Sequence, residues 1–573
     1  MAELAVWAPE RSRVRARLDG GREIDLTRGE DGWWRTTASV TDYSFLLDDG
    51  YEPLPDPRSP WQPYGVHGPS RVYDHAAFPW TDAGWTGRAL PGGVLYELHV
   101  GTFTPEGTFD AAVTRLDHLA ELGVTAVELL PVNAFNGTHG WGYDGVCWYA
   151  PHEAYGGPDG LKRLVDAAHH RGLAVFVDAV YNHFGPSGAY APRFAPYLAE
   201  GGNTWGRSLN LDGPHSDGVR RYVIDSALMW LRDYHADGLR LDAVHALVDH
   251  RAVHVLEELA AEVDALAAHA GRPLTLIAES DLNDPRLVTP REAGGYGLHA
   301  QWDDDVHHAL HALLTGERQG YYADFGSPGS VTKVLTHAFL HDGTWSSFRR
   351  RTHGRRVDRE RIPGHRFVAY LQNHDQVGNR ATGDRISDTL SPALLKVGAV
   401  LLFTSPFTPM LFMGEEWGAR TPWQFFTSHP EPELAAAVAA GRRREFAAHG
   451  WLSDEVPDPQ DPLTFSRSHL DWAELDKPAH RELYDFHRAL IALRGRRPDL
   501  TDPRLDRVEA WPGDRSLVVR RGSTAVAANL APHPQRLVLP AAARVTLLVT
   551  DPAATVDGDV VDLPGESAAV VGI

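Results

Sequence analysis

From Gly93 to Arg496, short apolar runs alternate with longer segments whose apolar residues recur every three or four positions, the pattern of strands and helices in alternation. The runs VLYELHV (94–100), TAVELLPV (125–132), LAVFVDAV (173–180), GLRLDAV (238–244), LTLIAES (274–280), GLHAQWDDD (297–305), RFVAYLQNHD (366–375) and PMLFMG (409–414) predict eight strands. Helical spacing marks 108–123, 160–172, 218–235, 254–271, 392–403 and 483–495, the first closing on a Gly that suits a helix end. Eight such units within about 400 residues predict an α/β fold, a (β/α)8 TIM barrel carrying insertions. A doubly wound sheet is the alternative, but no Gly-rich phosphate turn follows the first run.

Both flanks change period. LAVWAP, VRARL, EIDLT, GWWRTTA and YSFLLDDG alternate apolar and polar residues between Gly and Asp turns, which predicts an N-terminal β-sandwich over 1–90. Its last part, from Tyr51, is rich in Pro, Gly and Trp and reads as a connector packed on the barrel. The barrel is expected over 91–496. SLVVRRG, TAVAANLA, QRLVLP and ARVTLLVT then predict a C-terminal antiparallel β-sheet domain over 497–573.

Composition narrows the class. A chain of 573 residues with 43% hydrophobic and 23% charged residues is an ordinary folded protein of several domains. Its formal net charge of −21 would repel phosphate backbones and anionic lipid, so a neutral or cationic partner is expected, with no nucleic acid and no membrane. Cys147 is the sole cysteine and can form no internal disulfide. No apolar run reaches spanning length and no long apolar region follows the first residues, so a cytoplasmic location is expected.

In such barrels chemistry lies at the C-terminal ends of the strands. Four runs there end in acids: DAVYNH (178–183), GLRLDAVH (238–245), IAESD (277–281) and LQNHD (371–375), giving Asp178, Asp242, Glu279 and Asp375. Taken singly, an Asp after a strand is a turn former or helix cap. Four of them in one barrel, three beside His or Arg, point to a site. Arg240 lies two residues before Asp242, on the same strand face, where its charge would favour an ionised nucleophile. Glu279 ends an apolar run, where loss of water would keep it protonated as a general acid. An ionised and a protonated carboxyl across one bond is the apparatus of glycoside hydrolysis, with retention if they stand about 5–5.5 Å apart.

Those four segments, in this order and spacing, resemble the signature regions of the α-amylase superfamily, glycoside hydrolase family 13. The N-terminal sandwich is similar to the carbohydrate-module-like domain of branching and debranching enzymes. The resemblance implies Asp242 as nucleophile, Glu279 as acid/base and Asp375 as the carboxylate that stabilises the transition state. It puts Asn182, His183, Arg240 and His374 at the subsite beside the cleaved bond, with Tyr143 and Asp144 of GWGYDG as stacking and contact residues. ESDLNDPR, HAQWDDDVHHALH, QNHDQVGNR and MGEEWGARTPWQFFTSH further resemble the malto-oligosyltrehalose trehalohydrolase family, which hydrolyses the α-1,4 bond joining trehalose to a maltooligosaccharide. By that resemblance Leu241, Ala243, Val244 and His245, then Asp304, Asp305, Val306, His307 and His308, then Gln376, Val377, Gly378 and Asn379 contact substrate. Maltooligosyl trehalose and related α-glucans are the implied partners, with no cofactor and no metal. A glycogen branching enzyme is the alternative enzyme; a non-catalytic glucan-binding protein is the alternative of another class, disfavoured by intact carboxyls at three strand ends.

Other features carry plainer readings. DDDVHH (303–308) is read as the end of a strand, whose alternating faces keep it from converging on one ion. Asn133 follows the second strand, but nothing else completes a calcium cage. The basic run 349–366 is read as a solvated excursion, GGYG (294–297) as a turn, Cys147 as buried, and His169 and His170 as surface or packing residues. Trp141 and Trp417 adjoin strand-end loops and are read as either cleft lining or packing. Trp61, Trp80, Trp85 and Trp205 are read as core or connector packing.

Overall fold

The computed structural model describes residues 1–203, 206–448 and 456–573; Trp205 lies outside them. At its centre eight parallel strands form a closed barrel: Leu95–Leu98, Ala126–Leu129, Ala174–Ala179, Gly238–Leu241, Thr275–Ala278, Ala300–Trp302, Phe367–Tyr370 and Thr408–Phe412. They neighbour one another in chain order, and the eighth closes on the first through Met410 opposite Leu95. Each strand falls on one of the eight apolar runs. The runs are near-continuously apolar because both faces are buried. Leu95, Ala126, Phe176, Ile277, Trp302, Tyr370 and Met410 fill the interior, while Leu98, Val127, Val175, Leu239 and Leu276 pack outward on the helices.

Toward the C-terminal ends the inward face becomes charged. Two residues beyond Leu95, Ala126 and Phe176, the same face carries Glu97, Glu128 and Asp178. Register places Glu97 opposite Glu128 and Asp178 opposite Arg240. The barrel is thus an apolar plug capped by a layer of ionisable groups.

Two predicted elements differ. The helix expected over 108–123 is two helices, Phe109–Val113 and Leu116–Leu122, separated at Arg115, whose φ of −107° and ψ of −1° depart from regular α-helical values. Gly123, at φ 98°, ends the second. The sixth strand stops at Trp302, and DDDVHH opens a helix, Asp304–Thr315, capped by Asp303, which accepts the Val306 N–H. Asp at the cap with acids in the first turn favours that start.

The N-terminal segment forms two antiparallel sheets, one of Ala2–Trp7, Trp33–Ala38 and Thr27–Arg28, the other of Glu23–Asp25, Val14–Leu18, Asp42–Leu47 and Ser70–Arg71. Leu4, Val6, Val14, Ala16, Trp34 and Phe45 fill the space between them. At the other end Val508–Gly513, Ser516–Arg521, Thr524–Asn529, Ser567–Gly572 and Val545–Val549 pair as a five-stranded sheet, with a three-stranded sheet beside it. Among the described residues no helix is long and apolar enough to cross a membrane.

The connector grips the floor of the barrel, at the N-terminal ends of the strands. The Trp85 indole donates to Asp237 at 2.8 Å. His169, read from sequence as a surface or packing residue, is buried and bridges Asp82 at 2.8 Å and Asp237 at 2.9 Å. Its partner Asp82 belongs to the connector, so no local motif announced the pair. His235 faces Asp82 at 2.9 Å and Arg272 faces Asp237 at 2.5 Å. Burial alone would lower the His169 pKa, but its bonds to Asp237 and Asp82 prevail and raise it. The charged form therefore stabilises the fold below the ordinary imidazole pKa of about 6.5, and that contribution fades as pH rises through the raised value. We predict that His169→Gln costs about 3–5 kcal/mol of stability at neutral pH by leaving two buried acids short of a donor. Thermal melts from pH 5 to 9 test this: the variant should lose part of the alkaline decline, and an unchanged melting profile would refute the bridge.

Candidate active site

A cavity of about 650 Å3 opens at the C-terminal ends of the strands, lined by Trp141, Tyr143, Asp144, His183, Pro186, Arg240, Asp242, Ala243, His245, Glu279, His374, Asp375, Asn379, Phe425, Val438 and Arg442. The barrel's hydrogen-bond ladder runs one residue past two strands to present its acids. The Asp242 N–H donates to Ala179 and the Glu279 N–H to Leu241. Both carboxyls therefore project from rigid backbone rather than from free loops.

Arg240 organises them. It is 2% exposed. Its Nη1 donates to Asp178 at 2.8 Å and to Asp242 Oδ1 at 2.7 Å, and its Nη2 lies 3.8 Å from Glu279 Oε2. Asn182 Nδ2 donates to the other Asp242 oxygen at 2.6 Å. Both oxygens of Asp242 are thereby oriented by donors.

Glu279 is treated differently. Its Oε2 accepts the Ala243 N–H at 2.6 Å, which the left-handed turn at Ala243, φ 40°, aims at it. Burial pushes the Glu279 pKa well above the usual carboxyl range; Arg240 opposes the rise, and Asp242, Asp304 and Asp375 add to it. Asp178, buried but paired with Arg240, is pushed up to about 6.

A chain of hydrogen bonds ties the first strand to the fourth. Glu97 holds His374 twice, accepting its N–H at 2.9 Å and facing Nδ1 at 2.6 Å. His374 Nε2 lies 2.8 Å from the Tyr143 hydroxyl, which donates its proton to Asp178 at 2.6 Å. Tyr143 can then accept from Nε2 while Nδ1 faces Glu97, an arrangement that favours the protonated imidazole. Burial opposes that charge, but Glu97 outweighs it and the His374 pKa is raised. Asp375, one residue on, is exposed to the cavity and accepts from Asn379 Nδ2 at 2.9 Å.

This layout matches known proteins. Residues 76–195 match the family described as alpha amylase, catalytic domain. A malto-oligosyltrehalose trehalohydrolase of Arthrobacter ramosus is 60% identical over 92% of this chain and 93% of its own length. One from Rhizobium sp. (strain M-11) is 56% identical over 99% and 97%. The chain belongs to the malto-oligosyltrehalose trehalohydrolase family. A crystal structure of a candidate alpha amylase from Salmonella typhimurium shares the whole fold, with TM-score 0.91, 38% identity and coverage of 100% and 97%.

In this family member the expected residues divide. Asp242, Glu279, Asp375, Tyr143, Asp144, His183, Arg240, Ala243, His245, His374 and Asn379 meet at the cavity, with Asn182 behind Asp242. Leu241, Val244, Val306 and Val377 are buried in the packing between barrel and helices. Asp304 takes the Tyr370 hydroxyl, and burial pushes its pKa up to about 6. Asp305 accepts from Asn283 and from the N–H groups of Leu340 and His341. His307 faces the Tyr322 hydroxyl at 3.2 Å, and His308 stacks on Tyr321. Gln376 reaches Tyr321 at 3.2 Å and Asp304 at 3.5 Å, and Gly378 packs against Trp141. The run 304–308 is therefore the first turns of a helix, with Asp304 half-buried and Asp305 to His308 buried. Trp141 lines the cavity, whereas Trp417 is fully buried against Glu474 and His118. Cys147 is buried, which pushes its thiol up to about 12.

Sequence reasoning missed Glu97, Glu128, Phe425, Val438 and Arg442. For the two glutamates a signal existed: each is a lone acid in the middle of an apolar strand, in VLYELHV and TAVELLPV. We predict that Glu97→Gln drops the His374 pKa below the ordinary histidine value, since burial then acts with little opposition. Titration of the labelled His374 ring by NMR checks this, and an unshifted midpoint would contradict the network.

Proposed function

We propose that this chain is a retaining glycoside hydrolase that cleaves the α-1,4 bond next to the trehalose end of maltooligosyl trehalose, releasing trehalose and a maltooligosaccharide. Asp242 attacks the anomeric carbon, and Glu279 gives its proton to the departing oxygen. The covalent sugar is then released by water that Glu279, now a base, deprotonates. Asp375 steadies the positive charge that develops on the ring in both steps. Asp304 and Gln376, half-buried, are assigned as substrate contacts, whereas the buried Leu241, Val244, Asp305, Val306, His307, His308, Val377 and Gly378 act by shaping this wall.

The observation that carries the reading is the unequal treatment of two carboxyls beside one guanidinium. Asp242 is held by donors on both oxygens, and Glu279 is held on one, with burial favouring its proton. Trp141, Tyr143 and Phe425 offer faces for sugar rings, and the acids, histidines and arginines offer partners for hydroxyls. An uncharged, hydroxyl-rich substrate suits such a wall. We assign 1–90 as a carbohydrate-module-like sandwich, 91–496 as the catalytic barrel and 497–573 as the terminal sheet domain, working on soluble α-glucans in the cytoplasm in trehalose biosynthesis.

Separate incubations with maltooligosyl trehalose and plain maltooligosaccharide, followed by product chromatography, test the assignment. Trehalose release should far outpace maltose release, and new α-1,6 branches would overturn it in favour of a transferase. Glu279→Gln should cut kcat by at least about 1,000-fold with KM little changed, as expected when the proton donor alone is lost. Because the working form of Glu279 is protonated, kcat of the native enzyme should fall on the alkaline side at a pH well above 4.5. A rate that already declines as pH rises through 4.5 would show that Glu279 is not the acid.

A further inference from the structure

The helix Pro432–Ala448 lies outside the barrel repeat, yet it forms one wall of the cavity through Val438 and Arg442, four residues apart on one face. Little core holds it there: of its described side chains only Ala439 is buried. Before its start, Glu431 accepts from Asn136 Nδ2 at 2.9 Å and from the Ser187 hydroxyl. Eleven residues on, Arg442 clasps the segment after the seventh strand. Its guanidinium lies 4.9 Å over the Phe425 ring, and it donates to the Gly378 carbonyl and, at 3.0 Å, to Asn379 Oδ1. Gly378 is fixed in turn, since a Cβ there would lie 2.0 Å from the Trp141 ring.

The bond to Asn379 has a chemical consequence. An Asn carboxamide has a donor end and an acceptor end and can turn over, whereas a guanidinium has donors only. With Arg442 on one side, Oδ1 must face it and Nδ2 must face the other way, onto Asp375 Oδ1 at 2.9 Å. Turned over, the carboxamide would set its oxygen against the Asp375 carboxylate. We propose that Arg442 is a positioning residue for Asp375, acting by fixing the orientation of the Asn379 amide, so that a helix outside the barrel controls a carboxylate at the reacting carbon. This rests on the role given to Asp375 above.

Steady-state kinetics of Arg442→Met, Arg442→Lys, Asn379→Ala and the Arg442→Met/Asn379→Ala double variant test the proposal. Arg442→Met keeps the stem over Phe425 and removes the donors; kcat should fall about 10- to 100-fold, the scale of one charge-assisted hydrogen bond, with KM within about threefold. Arg442→Lys, also a pure donor, should restore most of the rate. The double variant should match Asn379→Ala alone within about twofold, because the amide is the side-chain link from Arg442 to the Asp375 carboxylate and the bond to the Gly378 carbonyl touches only backbone. Arg442→Glu, a pure acceptor on a partly exposed helix, should turn the amide over and be slower than Arg442→Met, which gives a reading even if the Met variant does not fold. A wild-type kcat in Arg442→Met or Arg442→Glu, a rise in KM alone, or multiplied losses in the double variant would overturn the proposal. If the native enzyme releases no trehalose, the substrate assignment fails, and the same ratios are read on whichever maltooligosaccharide it cleaves.

Discussion

One buried guanidinium sets the terms for the catalytic end of this barrel. Arg240 is withdrawn from water, and a lone cation there would cost several kcal/mol that only close, well-directed anions can offset. Asp178 and Asp242 supply that compensation at 2.8 and 2.7 Å, with Glu279 farther off at 3.8 Å. Three acids cannot all be neutralised by one cation. Burial raises the pKa of both Glu279 and Asp178; Arg240 opposes the rise at each, and at Glu279 the neighbouring Asp242, Asp304 and Asp375 add to it. Proton affinity at these strand ends thus follows from the balance of burial, one cation and the acids crowded around it.

The remaining ionisable groups extend the same logic outward. Glu97 and Asp178 would repel across the barrel mouth, and His374 with Tyr143 separates them by a cation and a directed hydroxyl. Such a network tolerates no slip of register. A shift of one residue in the fourth strand would turn Arg240 outward into the helical layer and Leu241 inward, leaving Asp178 alone. Short strands, four residues in several cases, suffice because closure leaves no edge along which to slide.

Much of this was legible in the sequence, for a definite reason. A strand of a closed parallel barrel is buried on both faces, so it reads as an apolar run, and the first polar residues after it mark the catalytic end. On that ground Asp178, Asp242, Glu279 and Asp375 stand out together, and only the resemblance to a known family set Asp242, Glu279 and Asp375 apart. What escaped notice depended on long-range pairing or on the kind of element that follows a run. Glu97 drew no reading of its own within the run VLYELHV, because its partner His374 lies 277 residues away. The acids 303–305 looked like a strand end because GLHAQW leads into them, although an Asp followed by acids also caps a helix. Trp417 and Trp141 occupy similar local text, and only packing tells that one is core and the other wall.

The bridge of Asp82, His169 and Asp237 lies at the floor of the barrel, while every group that would meet substrate lies at the mouth. Between them stands the apolar plug of Phe176, Ile277, Tyr370 and their neighbours. Fastening and chemistry are therefore carried by separate sets of side chains at opposite ends of the barrel. Selection or design can harden the floor against heat, or adapt it to another pH, without replacing any group at the mouth.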